Sequence, residues 1–204
     1  MRLRKDFLWL IMFGTLAGLN ETVLGSMHIP NKSVILSTIT LVLFAAARYL
    51  FRAKGTTLLV AGVAVLFKLN DVGVCGCRPE ALIMLGIGFE LFASLMIKKD
   101  TEKKIIFFLV PALTALLVFP VFALMMRYVM LDEYWFNAKF FTQYIFIKGP
   151  LTAVASALFS FLTVLALKPL VKNYTNISAQ KPYIINGALG VVIIAIWLIG
   201  FFSV

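Results

Sequence analysis

The chain has 204 residues, of which 62% are hydrophobic and 14% are charged, and its mean hydropathy is +0.99. Because an ordinary soluble domain is about 45–50% apolar and about 25% charged, this composition indicates an integral membrane protein. Helices of roughly 20 apolar residues, the length that crosses a bilayer, would use most of the chain and leave no room for a separate soluble catalytic domain.

Seven apolar windows predict an all-α fold, a polytopic membrane helix bundle with about seven transmembrane helices in one transmembrane domain, residues 1–204. In chain order the windows cover residues 7–27, 33–51, 56–72, 81–97, 105–126, 150–170 and 182–203. The third and fourth are short and carry charges, so we expect them to tilt into protein or to flank a cavity where irregular backbone is tolerated. Pro111 and Pro120 each remove one hydrogen bond from the fifth window and are expected to kink it.

The formal net charge of +10 would suggest an anionic partner such as nucleic acid if the chain were soluble. With the N-terminus inside, however, thirteen of the 19 lysines and arginines fall in inside segments, and Lys68 falls within a span. The other five fall in outside loops, namely Lys32, Arg78, Arg127, Lys139 and Lys148. Basic residues concentrate on the cytoplasmic side of membrane proteins, so this asymmetry predicts an inside N-terminus, an outside C-terminus and no nucleic-acid partner.

Three charged residues, Glu21, Lys68 and Glu90, lie deep within the predicted spans. A charge near the centre of a spanning helix costs at least about 2.5 to 3.5 kcal/mol on insertion scales, which makes each a candidate for function. Each lies on a face of small residues at helical spacing, and in the first span this face consists of Gly14, Gly18, Glu21, Gly25 and His28. We expect the three charges to face one another in the outer half of the bundle. They form either a structural pair of Lys68 with Glu21 or Glu90, or a polar chamber that opens outward.

The chamber hypothesis gives a set of candidate substrate-binding residues in the first four spans and their outside connections. They are Asn20, Glu21, His28, Lys68, Asp71, Arg78 and Glu90. Acidic groups outnumber Lys68 unless a carboxyl group is protonated or Arg78 restores the balance. A cationic or zwitterionic solute therefore fits the chamber better than an anion.

A metal site is a further hypothesis for the outside face. His28, the single histidine, could join Cys75, Cys77 and Glu21 in binding zinc, copper or haem iron. The pattern is not specific, because a Cys-x-Cys pair lacks a second ligand pair at fixed spacing and a lone histidine at a helix end is more often a cap. We therefore assign no cofactor and leave a metal or haem as the alternative.

Six aromatic residues crowd the connection between the fifth and sixth spans. They are Tyr134, Trp135, Phe136, Phe140, Phe141 and Tyr144. Such residues form either an interfacial aromatic belt, which is the commoner arrangement, or a lid over the chamber.

Motifs for catalysis are missing from the sequence. It has no Gly-x-Ser-x-Gly, no phosphate-binding glycine loop and no His-Glu-x-x-His. We therefore expect a protein that is not an enzyme. If it transports a solute, an ion gradient or a separate ATPase supplies the energy.

The front half of the chain carries three groups of residues that together resemble a known family. They are the run Met27-His28-Ile29-Pro30-Asn31-Lys32, the span end Ala46-Ala47-Arg48-Tyr49-Leu50-Phe51-Arg52 followed by Lys54-Gly55, and the end of the short third span, Leu66-Phe67-Lys68-Leu69. In this organisation the chain resembles the substrate-binding S components of energy-coupling-factor (ECF) transporters.

The resemblance implies a small vitamin- or metal-binding subunit of the prokaryotic cytoplasmic membrane. Such a subunit presents its site outward and docks onto a transmembrane partner that carries ATPase subunits. The resemblance also implies that Gly14 and Gly18 dock the partner, because small residues spaced by four on the first helix do so in that family. Met27 to Pro30 looks similar to the mature N-terminus of cobalt and nickel S components, but here the motif is internal and no second histidine exists. The seventh span adds one helix to the six that are typical of the family.

The function expected from the sequence is the binding of a small solute from outside, as an S-component-like transport subunit in contact with lipid. The alternative is a non-catalytic accessory subunit of a larger membrane complex, in which the glycine faces pack against partners and Lys68 and its acids are structural. An intramembrane enzyme, with Glu21 and Cys75 as its actors, is a more distant alternative.

Overall fold

The computed structural model describes residues 3–51, 53–69, 79–97, 105–180 and 189–198, and these ranges contain helices and no strand. In chain order they form α1 (Leu3–Ser26), α2 (Lys32–Phe51), α3 (Thr56–Leu69), α4 (Pro79–Met96) and α5 (Ile106–Tyr128). A 3-10 turn (Glu133–Phe136) then precedes α6 (Ala138–Gln143), which continues through a π-helical turn (Tyr144–Lys148) into α7 (Gly149–Gln180). A final helix, α8, covers Leu189–Leu198. The predicted all-α helical bundle is confirmed.

Five helical segments are long and apolar enough to cross a membrane. They are Phe7–Ser26, Lys32–Phe51, Pro79–Met96, Ile106–Tyr128 and Ala138–Lys168. The third and seventh predicted windows contain the shorter apolar helices α3 and α8. The fourth of these segments, α5, is helical through both Pro111 and Pro120.

The sixth window begins earlier in the structure than the sequence analysis predicts. Residues 138–148 are helical and lead directly into α7, so Lys139 and Lys148 do not lie in a loop. The Lys148 ammonium nitrogen lies 5.1 Å from the centroid of the Phe140 ring and 6.0 Å from that of Tyr144. Its long side chain thus extends toward the helix start, the direction in which lysines in spanning helices reach the interface. Because a lysine side chain can reach the interface in this way, residues 138–148 can be helical even though the sequence window, which begins at residue 150, excludes them.

The central helix of the bundle is α2, which contacts α1, α3, α4, α5 and α7. Around it, α1 packs on α3, α3 on α4, α4 on α5, and α5 on α7. Between Lys32 and Arg48 the helix carries no charged residue, and Leu41 and Phe44 are fully buried. A helix that is largely apolar on all sides is typical of an enclosed position.

The outward faces of the surrounding helices are apolar. On α4, for example, Ile83, Ile87, Leu91 and Leu95 are spaced by four residues and are all exposed. A soluble protein seldom exposes such continuous apolar rows. These rows form the lipid-facing surface of a membrane protein.

Helices α1 and α3 pack closely at two glycines of α1. A Cβ atom added at Gly14 would lie 2.5 Å from the Val63 Cβ, and one added at Gly18 would lie 2.7 Å from the Phe67 Cβ. Both glycines are buried, so they are covered by a helix of the same chain. The predicted role of Gly14 and Gly18 in docking a partner is therefore wrong. A small-residue face permits close helix approach but does not determine which helix approaches.

Candidate functional site

Two separate clusters of buried polar residues lie in the bundle. The inner cluster contains Arg48 at the end of α2, Glu90 in the middle of α4, and the turn between α2 and α3. Arg48 is only 1% exposed, and its Nη1 lies 3.4 Å from Oε1 of Glu90. The guanidinium also donates a hydrogen bond to the Ala53 carbonyl.

Glu90 accepts hydrogen bonds from the start of α3. The donors are the Gly55 amide at 2.8 Å, the Thr57 amide at 3.3 Å and the Thr57 hydroxyl. The Ser94 hydroxyl donates to the same carboxylate at 2.9 Å. Glu90 therefore has both an ionic partner and several hydrogen-bond donors.

The shortness of α3 explains why its first turn needs this carboxylate. The helix has 14 residues, about 21 Å at 1.5 Å per residue, whereas the hydrocarbon core of a bilayer is about 30 Å thick. The first half of α3 accordingly packs against the middle of α4. The two helices are close there, since a Cβ atom added at Gly86 of α4 would lie 2.5 Å from the Cβ of Ala61 in α3. The unpaired amides at a helix start carry partial positive charge and need acceptors. The carboxylate oxygens of Glu90 are these acceptors, so the inner cluster caps the start of α3.

The outer cluster joins Asn20 and Glu21 of α1, Thr40 of α2 and Lys68 of α3, and all four residues are buried. The Asn20 amide nitrogen donates to the Thr40 hydroxyl at 3.3 Å and to the Leu36 carbonyl at 3.2 Å. The Thr40 side chain also hydrogen-bonds the Glu21 carboxylate. The Lys68 Nζ lies 3.5 Å from the backbone carbonyl oxygen of Glu21. The predicted proximity of Glu21 and Lys68 is therefore correct.

The prediction that Glu90 joins these two residues is wrong. Glu90 binds the Thr57 end of α3, and Thr57 and Lys68 are about 16 Å apart along the helix at 1.5 Å per residue. The spacing of residues within α4 places Glu90 deep in its own span but does not indicate where the neighbouring helix α3 begins. In the structure the first turn of α3 lies opposite Glu90.

The charges of the outer cluster are less completely paired than those of the inner cluster. Lys68 and Lys32 act electrostatically on the Glu21 carboxylate, yet Lys32 donates to the Gly25 carbonyl and Lys68 to that of Glu21. Within the part of the chain that the structure describes, Arg48 and Glu90 form an ion pair within 4.0 Å, but Glu21 and Lys68 do not. In the same part, the Oδ1 atom of Asn20 in the outer cluster and the Nε atom of Arg48 in the inner cluster are both buried without a hydrogen-bond partner, so the contrast between the clusters lies in the ion pair.

An aromatic cluster, formed by Phe119, Phe122, Trp135, Phe140 and Tyr144, adjoins the outer cluster. The Tyr144 ring stacks on Phe119 with centroids 4.9 Å apart and meets Trp135 edge to face at 4.8 Å. The Glu21 carboxylate acts electrostatically on Tyr144, so the two clusters lie within electrostatic range of each other.

The six aromatic residues that the sequence analysis assigned to a belt or a lid divide between these roles. Trp135 and Tyr144 are buried, whereas Tyr134 and Phe136 are exposed. The buried residues pack into the core beside the outer cluster, where a lid would lie. The exposed residues are available to the membrane interface, as belt residues are.

The remaining candidate residues do not join the outer cluster in the described structure. His28 is exposed in the connection between α1 and α2. Asp71, Arg78, Cys75 and Cys77 lie outside the described residues. Among the residues that are described, no group of three or more His, Cys, Asp or Glu side chains could hold a metal ion.

The sequence analysis missed the two residues whose hydroxyl groups donate to Glu90, namely Thr57 and Ser94, and it also missed Arg48 and Thr40. Arg48 was assigned to the inside surface because it lies near a span end, and Thr40 was passed over as an ordinary residue of an apolar helix. The sequence offered one indication for Arg48, since three apolar residues, Tyr49 to Phe51, follow it within the window. For Thr40 there was no indication, because a hydroxyl is common in a buried helix.

Comparison of the chain with family models, with curated proteins and with solved structures found no match.

Proposed function

We propose that this protein is the solute-binding subunit of an ECF-type uptake transporter and takes a small vitamin-like or cationic solute from the outside into the outer cluster. In this role the protein is not an enzyme. It lies in a prokaryotic cytoplasmic membrane with its N-terminus inside and its C-terminus outside. It works with a further transmembrane subunit and, through that subunit, with ATPases.

The observation that carries the proposal is the contrast between the two buried acids. Glu90 has an arginine and several donors around it, as expected of a structural carboxylate. Glu21 has no ion pair within 4.0 Å in the described residues, and the neighbouring Asn20 oxygen has no donor there. Buried polar groups without partners are uncommon in folded proteins and need an explanation; for the Asn20 oxygen, which lies next to an acid without an ion pair in that part of the chain, the explanation we propose is a donor supplied by a bound solute.

The depth of the outer cluster fits access from the outside. Glu21 is five residues before the end of α1 at Ser26, about 8 Å at 1.5 Å per residue. Lys68 is one residue before the end of α3. In the proposed orientation both helices end on the outside, so a solute would reach the cluster without passing the apolar core.

The ion pairing in the two clusters weighs against the accessory-subunit alternative. It relied on Lys68 serving only to neutralise acids, whereas the acid with a structural ion pair is Glu90, and its partner is Arg48. The glycine faces do not separate the two functions, because Gly14 and Gly18 pack against α3 of the same chain and are therefore unavailable both to an accessory partner and to an ECF docking partner.

Mass spectrometry of the chain purified in mild detergent from native-level expression tests the proposal. We expect a small molecule to copurify with the wild-type chain and to be lost from the Glu21→Gln chain. The Glu133→Gln chain is the control, because Glu133 is exposed, and it should retain the molecule. Recovery of a stoichiometric protein partner from a respiratory or redox complex, with no small molecule, would overturn the proposal.

A further inference from the structure

We infer that the solute of the outer cluster is a zwitterion with a primary ammonium group and an anionic group separated by a short spacer. The ammonium group binds between the Asn20 Oδ1 and the Glu21 carboxylate, and the anionic group binds the Lys68 ammonium. The inference rests on the proposed function for the existence of a solute and adds the chemical class of that solute.

The ammonium subsite follows from which atoms of Asn20 and Glu21 lack donors. Asn20 is 9% exposed and uses its amide nitrogen on Leu36 and Thr40, which leaves its oxygen as a buried acceptor without a donor in the described residues. The Glu21 carboxylate receives the Thr40 hydroxyl, but a carboxylate can accept about four hydrogen bonds. Two neighbouring acceptors require a ligand that donates. A primary ammonium group has three donors and no acceptor, so it complements both.

The anionic subsite follows from the charge of the lysines. Lys68 is 4% exposed, and its one hydrogen bond within the described structure goes to an uncharged carbonyl oxygen at 3.5 Å. Lys32, at the start of α2, adds a second positive charge near Glu21. Because Arg48 neutralises Glu90, Glu90 no longer contributes to the acid excess, which leaves the zwitterionic solute as the better of the two classes, cationic and zwitterionic, that the sequence analysis predicted. A solute that carries both signs matches Glu21 and Lys68 together.

The spacer is short because both subsites adjoin Glu21. The side chain of Glu21 faces the ammonium subsite, and its backbone carbonyl holds the Lys68 nitrogen. Because one residue contributes to both subsites, we infer a short chain between the two ligand charges, and the probe series described below measures its length.

The aromatic cluster favours a primary over a quaternary ammonium group. Recognition of quaternary ammonium uses free aromatic faces. The Tyr144 ring already contacts Phe119 and Trp135, and the Lys148 ammonium lies 6.0 Å from its centroid. The ammonium group of the solute would therefore be bound by hydrogen bonds to the Asn20 and Glu21 oxygen atoms, which a primary ammonium group can donate and a quaternary one cannot.

Thermal melting of the purified full-length chain in detergent, with a series of chemical probes, tests the inference. The probes are unbranched ω-amino acids from glycine to aminohexanoate, with the alkylamine, the alkanoate and the N-trimethyl derivative of each chain length as controls. We expect one of the shorter ω-amino acids to raise the melting temperature. Each control of the same length should need at least about tenfold higher concentration, because a hydrogen bond to a charged group is worth about this factor or more.

Variants separate the two subsites. Glu21→Gln and Asn20→Leu should weaken the response to every amine-bearing probe at least about tenfold. Lys68→Met should remove the preference for the ω-amino acid over the alkylamine, and Lys68→Arg should restore part of it. Glu90→Gln is the matched control, since it changes a buried carboxylate outside the outer cluster. It should lower the melting temperature but retain the full probe-induced shift.

The probe series on the wild-type chain decides the inference even if a variant fails to fold. A response to alkanoates or N-trimethyl derivatives equal to that of the ω-amino acids would overturn it, as would the absence of any response. If a solute without an ammonium group copurifies, the inference fails and the proposed function stands. If no solute copurifies and a stoichiometric respiratory or redox partner does, the proposed function fails as well.

Discussion

Glu21 and Glu90 are both carboxylates within membrane-spanning helices, and the groups around each determine what it can do. Glu90 faces Arg48 and the first amides of α3. Glu21 faces a threonine hydroxyl and lies near two lysines that bind main-chain carbonyls. The first arrangement stabilises the fold by itself, whereas the second leaves acceptors for a further donor.

Removal of the negative charge at Glu90 should destabilise the protein strongly. In Glu90→Gln the buried Arg48 keeps its charge and loses its ionic partner, which typically costs about 3 to 5 kcal/mol of the free energy of unfolding. Unfolding by sodium dodecyl sulfate in mixed micelles measures this difference. The exposed residue Glu133 provides the control, and Glu133→Gln should change stability by less than about 0.5 kcal/mol. Equal stability of Glu90→Gln and the wild-type chain would contradict the capping role of Glu90.

At the residue scale, helical periodicity predicts which face of its own helix a side chain occupies. This was sufficient for Glu21 and Lys68, since both lie on small-residue faces of two helices that pack closely. It was insufficient for Glu90, because its partner depends on where α3 begins relative to α4. That offset is a property of two helices and is not encoded in the spacing of residues within one of them.

At the element scale, α1 and α3 approach closely because glycines of α1 lie beneath side chains of α3. Gly14→Ala and Gly18→Ala should each destabilise the chain by about 1 to 3 kcal/mol, the usual cost of overpacking. The added Cβ at Gly14 would also lie 2.8 Å from the Val60 carbonyl oxygen, which belongs to the backbone and cannot rotate away.

The matched control for these glycines is Gly62→Ala. No atom lies within 4 Å of a Cβ added at Gly62, and alanine favours a helix over glycine by about 0.5 to 1 kcal/mol. Thermal melting in detergent should therefore show Gly62→Ala at or above the wild-type temperature. Melting of Gly14→Ala at the same temperature as Gly62→Ala would mean that α1 and α3 are not in close contact.

The last helix, α8, is attached to α1 and α3 through Trp197. Its indole nitrogen donates to the Thr15 hydroxyl at 3.0 Å, and its ring meets Phe67 edge to face at 5.2 Å. Trp197→Phe keeps an aromatic ring but removes the donor, and Thr15→Val removes the acceptor. A double-mutant cycle, measured by unfolding in mixed micelles, should give a coupling of about 0.6 to 1.7 kcal/mol, the range for interhelical hydrogen bonds in membranes. A coupling of zero would show that α8 does not pack on α1 in this way.

At the scale of the whole molecule, the outward surface of the described helices is apolar, and the charged residues whose burial is described lie at the ends of the bundle or in its two clusters. The direction of the bundle in the membrane is a prediction from the asymmetry of basic residues. Two exposed positions, His28 after α1 and Lys54 after α2, lie at opposite ends of the central helix α2. They provide a direct test of orientation.

In a chain with Cys75→Ser and Cys77→Ser, we expect His28→Cys to react with a membrane-impermeant maleimide in intact cells. Lys54→Cys should react only after the cells are permeabilised. The unmodified chain should label from the outside as well, because the predicted topology places Cys75 and Cys77 in an outside loop. The opposite pattern of labelling would invert the topology and place the outer cluster on the cytoplasmic side.

Composition and periodicity by themselves determined that this protein is an all-α membrane bundle and where its apolar helices lie. Those properties depend on the free energy of transferring each segment into lipid, which is a sum over the residues of that segment. They also determined that Glu21 and Lys68 lie on the small-residue faces of their helices, because a helix repeats its faces every 3.6 residues.

Only the tertiary structure decided which helices meet and at what relative height. It placed α3 against the glycines of α1, joined Glu90 to Arg48 and separated both from Lys68. The physical reason is that a small or polar face stabilises contact with any complementary neighbour. The choice among neighbours depends on helix lengths, connections and the packing of all helices around α2 at once.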